Sequence, residues 1–215
     1  MQKLLSVHVA KAGGTSTKIM LETAYGNAFM ADYADNPADP ISQRQIDPVG
    51  YYNKNLSFPD EIKCIHGHMH PGKYRIDNET IVATVLRHPV DNIISIYTFW
   101  KRDPHPTDAL HRYFLTAQLT ILQMAQLPLL RRLFSVTYFG DFDMGRFDLI
   151  GRHDRREEAI KKMSNLVGAP FKLDIRENIT PSDPEREELS QNQSVRGQLE
   201  DILADDVRFY ERFTR

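Results

Sequence analysis

Apolar and polar residues follow two rhythms along this chain, and the switches between them mark its elements. Residues 4–10 form a short apolar run that stops at Gly13 and Gly14, and residues 15–24 behind it are amphipathic, which predicts a buried strand, a tight turn and a helix. Pro37, Pro40, Pro48 and Pro59 break up 27–60, which reads as loop or short helix covering the surface. Residues 61–66 predict a second strand running into the turn His66-Gly67-His68-Met69-His70-Pro71-Gly72. The clearest strand is 80–87, rich in β-branched and aliphatic residues, and it stops at His88-Pro89. Proline suits the first position of a helix, so 90–101 reads as helix, with Ile93, Ile94, Tyr97 and Trp100 on one face. After Pro104 and Pro106, Thr107 is the expected N-cap of a helix over 108–127. A strand at 147–151, a helix at 155–167 closed by Gly168, a last strand at 171–175, a polar loop at 178–184 and a C-terminal helix from Glu185 or Val195 to Phe213 complete the pattern. Strands alternating with helices predict a P-loop-like, three-layer α/β/α fold with a mainly parallel central sheet.

A length of 215 residues suits one compact domain with room for sizeable insertions, and such a chain buries enough surface to need neither disulfides nor a structural metal. With 27 basic against 29 acidic side chains the formal charge is −2, which argues against a protein that coats nucleic acid or anionic membrane. Any anion site must be local. The one cysteine, Cys64, has no internal disulfide partner and fits a reducing compartment. Ala10-Lys11-Ala12 imitates a signal-peptide cleavage site, but the apolar stretch before it is short and is interrupted by Ser6 and His8. No run approaches the about eighteen apolar residues of a spanning helix. The expectation is a soluble, cytoplasmic protein.

Candidate chemistry gathers at two strand ends. In His8-Val9-Ala10-Lys11-Ala12-Gly13-Gly14-Thr15-Ser16, a strand passes into a helix N-terminus through Gly13 and Gly14, with Thr15 and Ser16 following. Backbone N–H groups, a helix dipole and Lys11 there suit a phosphate; the same residues also fit a tight turn with a surface lysine. The nucleotide-kinase loop sets its lysine just before the hydroxyl residue, whereas Lys11 precedes both glycines. In the second segment Arg87 ends a strand, where open α/β sheets bind ligands, and Ser95 follows on the next helix. Read plainly, Arg87 is a partner for Asp91 and Ser95 an ordinary helix residue.

Together these two segments carry a resemblance. Residues 8–16 resemble the His-Ile-Pro-Lys-Thr-Gly-Gly-Thr-Ser signature of sulfotransferases that use 3′-phosphoadenosine 5′-phosphosulfate (PAPS), particularly the carbohydrate-type enzymes. Val85-Leu86-Arg87-His88-Pro89-Val90-Asp91-Asn92-Ile93-Ile94-Ser95-Ile96-Tyr97 is similar to their Leu-Arg-Asp-Pro-Val-x-Arg-x-x-Ser-x-Tyr signature. Phe147-Asp148-Leu149-Ile150-Gly151 and Asp206-Val207-Arg208-Phe209-Tyr210 resemble two further family segments, a strand and a terminal motif. The resemblance implies that Lys11, Gly13, Gly14, Thr15 and Ser16 hold the 5′-phosphosulfate, that Arg87 and Ser95 hold the 3′-phosphate, and that PAPS is the co-substrate. Ala10 stands where the family has proline, Ala12 where it has threonine, and His88 where it has aspartate.

His66, His68 and His70 alternate along an extended segment. Three readings stay open for them: a metal site, surface or capping histidines, and a general base able to take a proton near neutral pH. The segment is similar to one in uronyl 2-O-sulfotransferases where histidine is the base, which puts His68 first and His66 second. The implied activity is in-line sulfuryl transfer to a hydroxyl acceptor, a carbohydrate by preference, with Lys11 stabilising the departing phosphate and no metal required. A P-loop small-metabolite kinase and a non-catalytic binder of adenosine 3′,5′-bisphosphate are the alternatives. Segments 27–60 and 101–146 match nothing in the family and are the natural seats of acceptor recognition. Lys101, Arg102, His105, His111 and Arg112 suit an acidic sugar or equally a solvated helix face, and the apolar helix at 108–127 suits a homodimer contact.

Overall fold

A computed structural model describes residues 1–35, 39–52, 54–103, 106, 108–171 and 183–215. Five parallel strands form one sheet in the order β2-β3-β1-β4-β5: β1 is Lys3–His8, β2 Phe29–Asp32, β3 Cys64–Gly67, β4 Thr80–Leu86 and β5 Leu149–Arg152. Register follows hydrophobic matching across the sheet. Leu4 of β1 lies opposite Cys64 and Ile81, and Leu5 opposite Ile65 and Val82. Because side chains alternate between faces, Leu4, Cys64, Ala83 and Leu149 meet the helices α1 (Gly14–Tyr25) and α8 (Arg156–Val167) through Met20, Leu21, Ile160 and Met163. The opposite face carries Leu5, Ile65 and Val82 against Met69 and Tyr74, while Val7 and Leu86 join the largest apolar cluster.

Among the described residues between β2 and β3 lie two short helices, α2 (Gln43–Ile46) and α3 (Pro48–Tyr52). After β4 comes α4 (Pro89–Arg102), which has proline in its first turn, Asp91 near its positive end and Lys101 and Arg102 near its negative end. The helix expected over 108–127 is instead broken. α5 (Ala109–Thr116) ends before Gln118, whose φ of 50° is left-handed, and Thr120 then starts α6 (Ile121–Ala125) with a reciprocal capping box to Gln123. α7 (Pro128–Arg131) begins at a proline and leads into a π-helical turn, Leu133–Tyr138. Asp108, whose side chain accepts from the His111 N–H, caps α5, and the proposed cap Thr107 lies outside the described residues.

The expected C-terminal helix is three helices. α9 (Pro184–Gln191), α10 (Gln193–Ile202) and α11 (Ala204–Phe213) are divided at Asn192, whose side chain caps α10, and at Leu203. Gly168 closes α8 with a φ of 68°. Most of the expected strand 171–175 lies outside the described residues, as does most of the loop at 178–184; Phe171 itself is buried in the cluster under α1 and α8. β2 runs through a segment read as loop, and it is a true ladder, with Phe29 opposite Cys64 and Asp32 opposite Gly67. All five strands point the same way. The connections leaving β1, β3, β4 and β5, and the end of β2, therefore open on one edge of the sheet, where parallel α/β sheets place ligands. Among the described residues no helix is long and apolar enough to cross a membrane.

Candidate functional site

The loop leaving β1 is shaped by two left-handed residues, Lys11 with φ 62° and Gly13 with φ 83°. Gly13 is the N-cap of α1 and has no side chain to occupy the first-turn N–H groups, which is the backbone arrangement an anion uses. Side chains from far along the chain hold this loop. The Ala10 N–H donates to the Tyr138 hydroxyl at 3.1 Å, and Asn92 Nδ2 on α4 donates to the Ala10 carbonyl at 2.8 Å. Proline at position 10 lacks that N–H, so the alanine here gives the loop a tether the family's proline does not offer.

Basic side chains surround the loop. Arg87, at the end of β4, points its Nη1 at the Lys11 carbonyl, 3.4 Å away. A Cβ at Gly13 would lie 3.3 Å from Arg156 Nε and 3.5 Å from His153 Cδ2, so α8 and the end of β5 form its other wall. Burial, then the nearby Arg102, Arg87 and Arg186, pull the Lys11 amine down to about 8. Burial and Arg186 pull Arg87 down to about 10, and burial with Arg87 and Arg156 pulls His153 down to about 4. Among the described residues no carboxylate pairs with Lys11 or Arg87. Asp91, the partner offered for Arg87 by sequence, is hydrogen-bonded by Arg196 of α10 at 2.7 Å, while its charge still acts on Arg87. Asp183 lies 3.7 Å from Arg102, and Asp91 and Asp154 partly offset the charge at Arg87 and His153, yet the cations still depress one another, and such a site gains from a polyanion.

Ser95 is 6% exposed on α4. It stands between Asn92, three residues before it, and Phe99, four residues after it, which carries the Lys11 amine 4.0 Å from its ring centre. Helical spacing therefore puts Ser95 on the stripe of α4 that faces the loop. Thr15 is exposed and Ser16 buried at the start of α1. His88, where the resembling signature has aspartate, sits at the N-cap position of α4 without a side-chain cap bond and packs edge-on against Tyr210, 5.3 Å between ring centres.

Histidines gather beside the loop. His8 stacks between His66, 5.3 Å between ring centres, and His68, 4.4 Å, and Tyr33 meets all three edge-on. A Cβ on Gly14 would overlap the His8 ring, so that glycine is what brings the stack against the start of α1. His68 is half-buried, and its Nδ1 lies 2.7 Å from the His8 carbonyl and 3.1 Å from the Tyr138 hydroxyl. A carbonyl only accepts, so Nδ1 carries the hydrogen and Nε2 keeps a lone pair. Burial lowers the His68 pKa below its usual 6.5, leaving the ring neutral at pH 7.

The other two histidines differ. His66 is 1% exposed, its Nδ1 lies 2.9 Å from Ser6 Oγ, and burial pulls its pKa down to about 3. His70 spends both nitrogens on backbone, with Nε2 donating to the Gly140 carbonyl at 2.9 Å and Nδ1 accepting from the Gly72 N–H at 3.0 Å. Among the described residues no three His, Cys, Asp or Glu side chains gather as a metal shell. His111, a candidate for greeting the acceptor, is a core residue stacked on Trp100 and donating to its carbonyl. Lys101 pairs with Glu185 at 2.6 Å, and His105 lies outside the described residues.

Sequence reasoning missed His8 as a stack member, and it missed Tyr33, Tyr138, Asn92, Phe99, Arg156, Arg186 and His153. His8 was visible in the first motif. Asn92 lay within the second; the rest arrive from other strands and helices and leave no local pattern. No protein-family model matches the chain, and no curated protein matches it. Among solved structures it is similar to a sulfotransferase from Alicyclobacillus acidocaldarius, at 16% identity over 99% of each chain with a TM-score of 0.43. It is also similar to mouse sulfotransferase SULT7A1 complexed with PAP, at 10% identity over 88% of this chain and 63% of that one, with a TM-score of 0.40.

Proposed function

We propose that this chain is a PAPS-dependent sulfotransferase that moves a sulfuryl group to a hydroxyl acceptor, by preference a carbohydrate, with His68 as the base. The observation that carries this reading is the convergence at one sheet edge of a cation cluster, in which Arg87 meets the Lys11 loop at 3.4 Å, and a neutral histidine whose Nε2 lone pair is set by its bond to His8. A donor with one phosphate on the β1 loop and another at the start of α4 matches two basic stations on neighbouring strands. Lys11 and the α1 N-terminus take the 5′ side, and Arg87 with Ser95 the 3′ side.

In this reading the acceptor oxygen forms a bond to sulfur as the bond from sulfur to the 5′-phosphate oxygen breaks. His68 Nε2 takes the acceptor proton, and Lys11 with Gly13, Gly14, Thr15 and Ser16 holds the negative charge that grows on the departing oxygen. The cations already present neutralise that charge, so no metal is invoked. Tyr33, 36% exposed with its ring 4.9 Å from that of His68, offers the acceptor an apolar wall beside the base. Segments 27–60 and 101–146 of this one sulfotransferase-like domain supply the rest of acceptor recognition. In this reading the protein acts in the cytoplasm; the apolar residues of 108–127 offered for a homodimer contact, among them Phe114, Ile121 and Met124, are packed into the largest apolar cluster.

The test is transfer of labelled sulfate from PAPS to a panel of neutral and acidic sugars. Labelled sugar from the wild type and none from Lys11→Ala is the expected result. Equal transfer by both proteins would remove the assignment.

A further inference from the structure

Lys11 occupies an awkward place: its backbone is left-handed, with φ 62°, and Arg87 approaches its own carbonyl at 3.4 Å. Its amine lies near Arg102, Arg87 and Arg186, all of the same sign. Repulsion of this kind normally sends a flexible lysine out to solvent. Instead the Lys11 Nζ rests 4.0 Å from the ring centre of Phe99, on α4 one turn beyond Ser95, and Phe99 leaves 42% of its surface open. A ring face attracts a cation through its quadrupole yet carries no net charge.

We propose that Phe99 is a positioning residue for Lys11, holding the ammonium inside the anion site without neutralising it. The inference rests on the nucleotide reading above and adds how the lysine is kept ready. A carboxylate in this position would satisfy the lysine in the free protein and would then compete with the incoming phosphate group. A ring does neither. It keeps the amine among Arg102, Arg87 and Arg186 and gives it up cheaply to an oxyanion. Lysine's flexible stem makes such a transfer a matter of side-chain rotation.

Two measurements decide it. The first needs no ligand: NMR of lysine side-chain CH2 groups in the full chain, with Lys11→Arg supplying the assignment. Ring current from Phe99 shifts the Lys11 signal upfield, Phe99→Tyr keeps the shift, and Phe99→Leu removes it. A Lys11 signal at the ordinary lysine position, unmoved by Phe99→Leu, overturns the proposal. The second is a double-mutant cycle on affinity for adenosine 3′,5′-bisphosphate. Phe99→Leu lowers affinity about two- to fivefold when Lys11 is present and has no effect in the Lys11→Met background. The same loss in both backgrounds would mark Phe99 as merely structural and overturn the proposal. If the wild type binds no bisphosphate, the nucleotide reading fails, and the NMR arm still decides whether Phe99 holds Lys11.

Discussion

Nδ1 of His68 lies 2.7 Å from the carbonyl oxygen of His8, which ties the connection after β3 to the last residue of β1. That bond sets the tautomer of His68 and brings its free nitrogen to the edge of the sheet where the β1 loop turns. The proposed anion site and the proposed base thus stand on adjacent strands, paired in register from Leu4 opposite Cys64 to Val7 opposite Gly67.

Replacing His68 tests the base. His68→Gln keeps a polar side chain without a titrating nitrogen, so turnover should fall by about 10²–10⁴-fold with little change in bisphosphate affinity. Protonation of Nε2 blocks the base, and burial lowers its pKa, so the acid limb of the wild-type rate profile should lie below pH 6.5. A pH–rate series on both proteins checks it; an acid limb retained by the variant would assign the base elsewhere.

Lys11 makes a prediction of opposite sign. Its amine is pulled down to about 8, chiefly by burial, and in the proposed reading only the ammonium attracts the nucleotide. Affinity for adenosine 3′,5′-bisphosphate should therefore weaken as pH rises through about 8, and the weakening should vanish in Lys11→Arg, whose charge persists. Calorimetry between neutral and alkaline pH reads this directly.

Tyr138 joins the two halves of the site. Its hydroxyl accepts from the Ala10 N–H at 3.1 Å and lies 3.1 Å from His68 Nδ1. Tyr138→Phe keeps the ring but leaves the Ala10 N–H without its partner, which should cost about 1–2 kcal/mol of stability. Turnover should fall further than that loss explains, because His68 and the loop lose their common tether. Denaturant unfolding beside steady-state kinetics separates the two effects.

Asp206 acts at one remove. Its carboxylate accepts from the N–H groups of Phe134 and Ser135 and from the Ser135 hydroxyl, and so holds the π-helical turn that ends in Tyr138. Asp206→Ala strands these donors and should lower stability by about 2–4 kcal/mol. Burial pushes the Asp206 carboxyl up to about 6 from 3.8. The folded state thus favours the proton, and this contribution to stability is full below pH 3.8 and lost as pH rises through about 6. Thermal melts of wild type and Asp206→Asn across that range should diverge accordingly.

Much of this fold is legible in the chain because burial and period agree there. β1 and β4 are runs of aliphatic residues with no competing pattern, and α4 announces itself through Pro89 and its apolar stripe. β2 was hidden, since its four residues Phe29–Asp32 carry no alternation and acquire strand geometry by pairing with β3. The break in 108–127 had a local signal in Thr120 and Gln123, masked by continuous aliphatic residues on both sides. At the site, Lys11, Arg87 and the histidines could be read from the motifs. Tyr138 could not, because it reaches His68 across 70 positions of sequence. The cations Arg102, Arg156 and Arg186 likewise belong to helices whose placement only tertiary packing decides.

In the proposed reading the basic edge of the sheet binds a nucleotide with phosphates at both the 3′ and 5′ positions. Calorimetric titration of the purified chain with adenosine 3′,5′-bisphosphate, beside AMP and ATP with magnesium, tests it most directly. Selective micromolar binding of the bisphosphate that collapses in Arg87→Ala is the expected result. No binding, or a preference for ATP with magnesium, would contradict it.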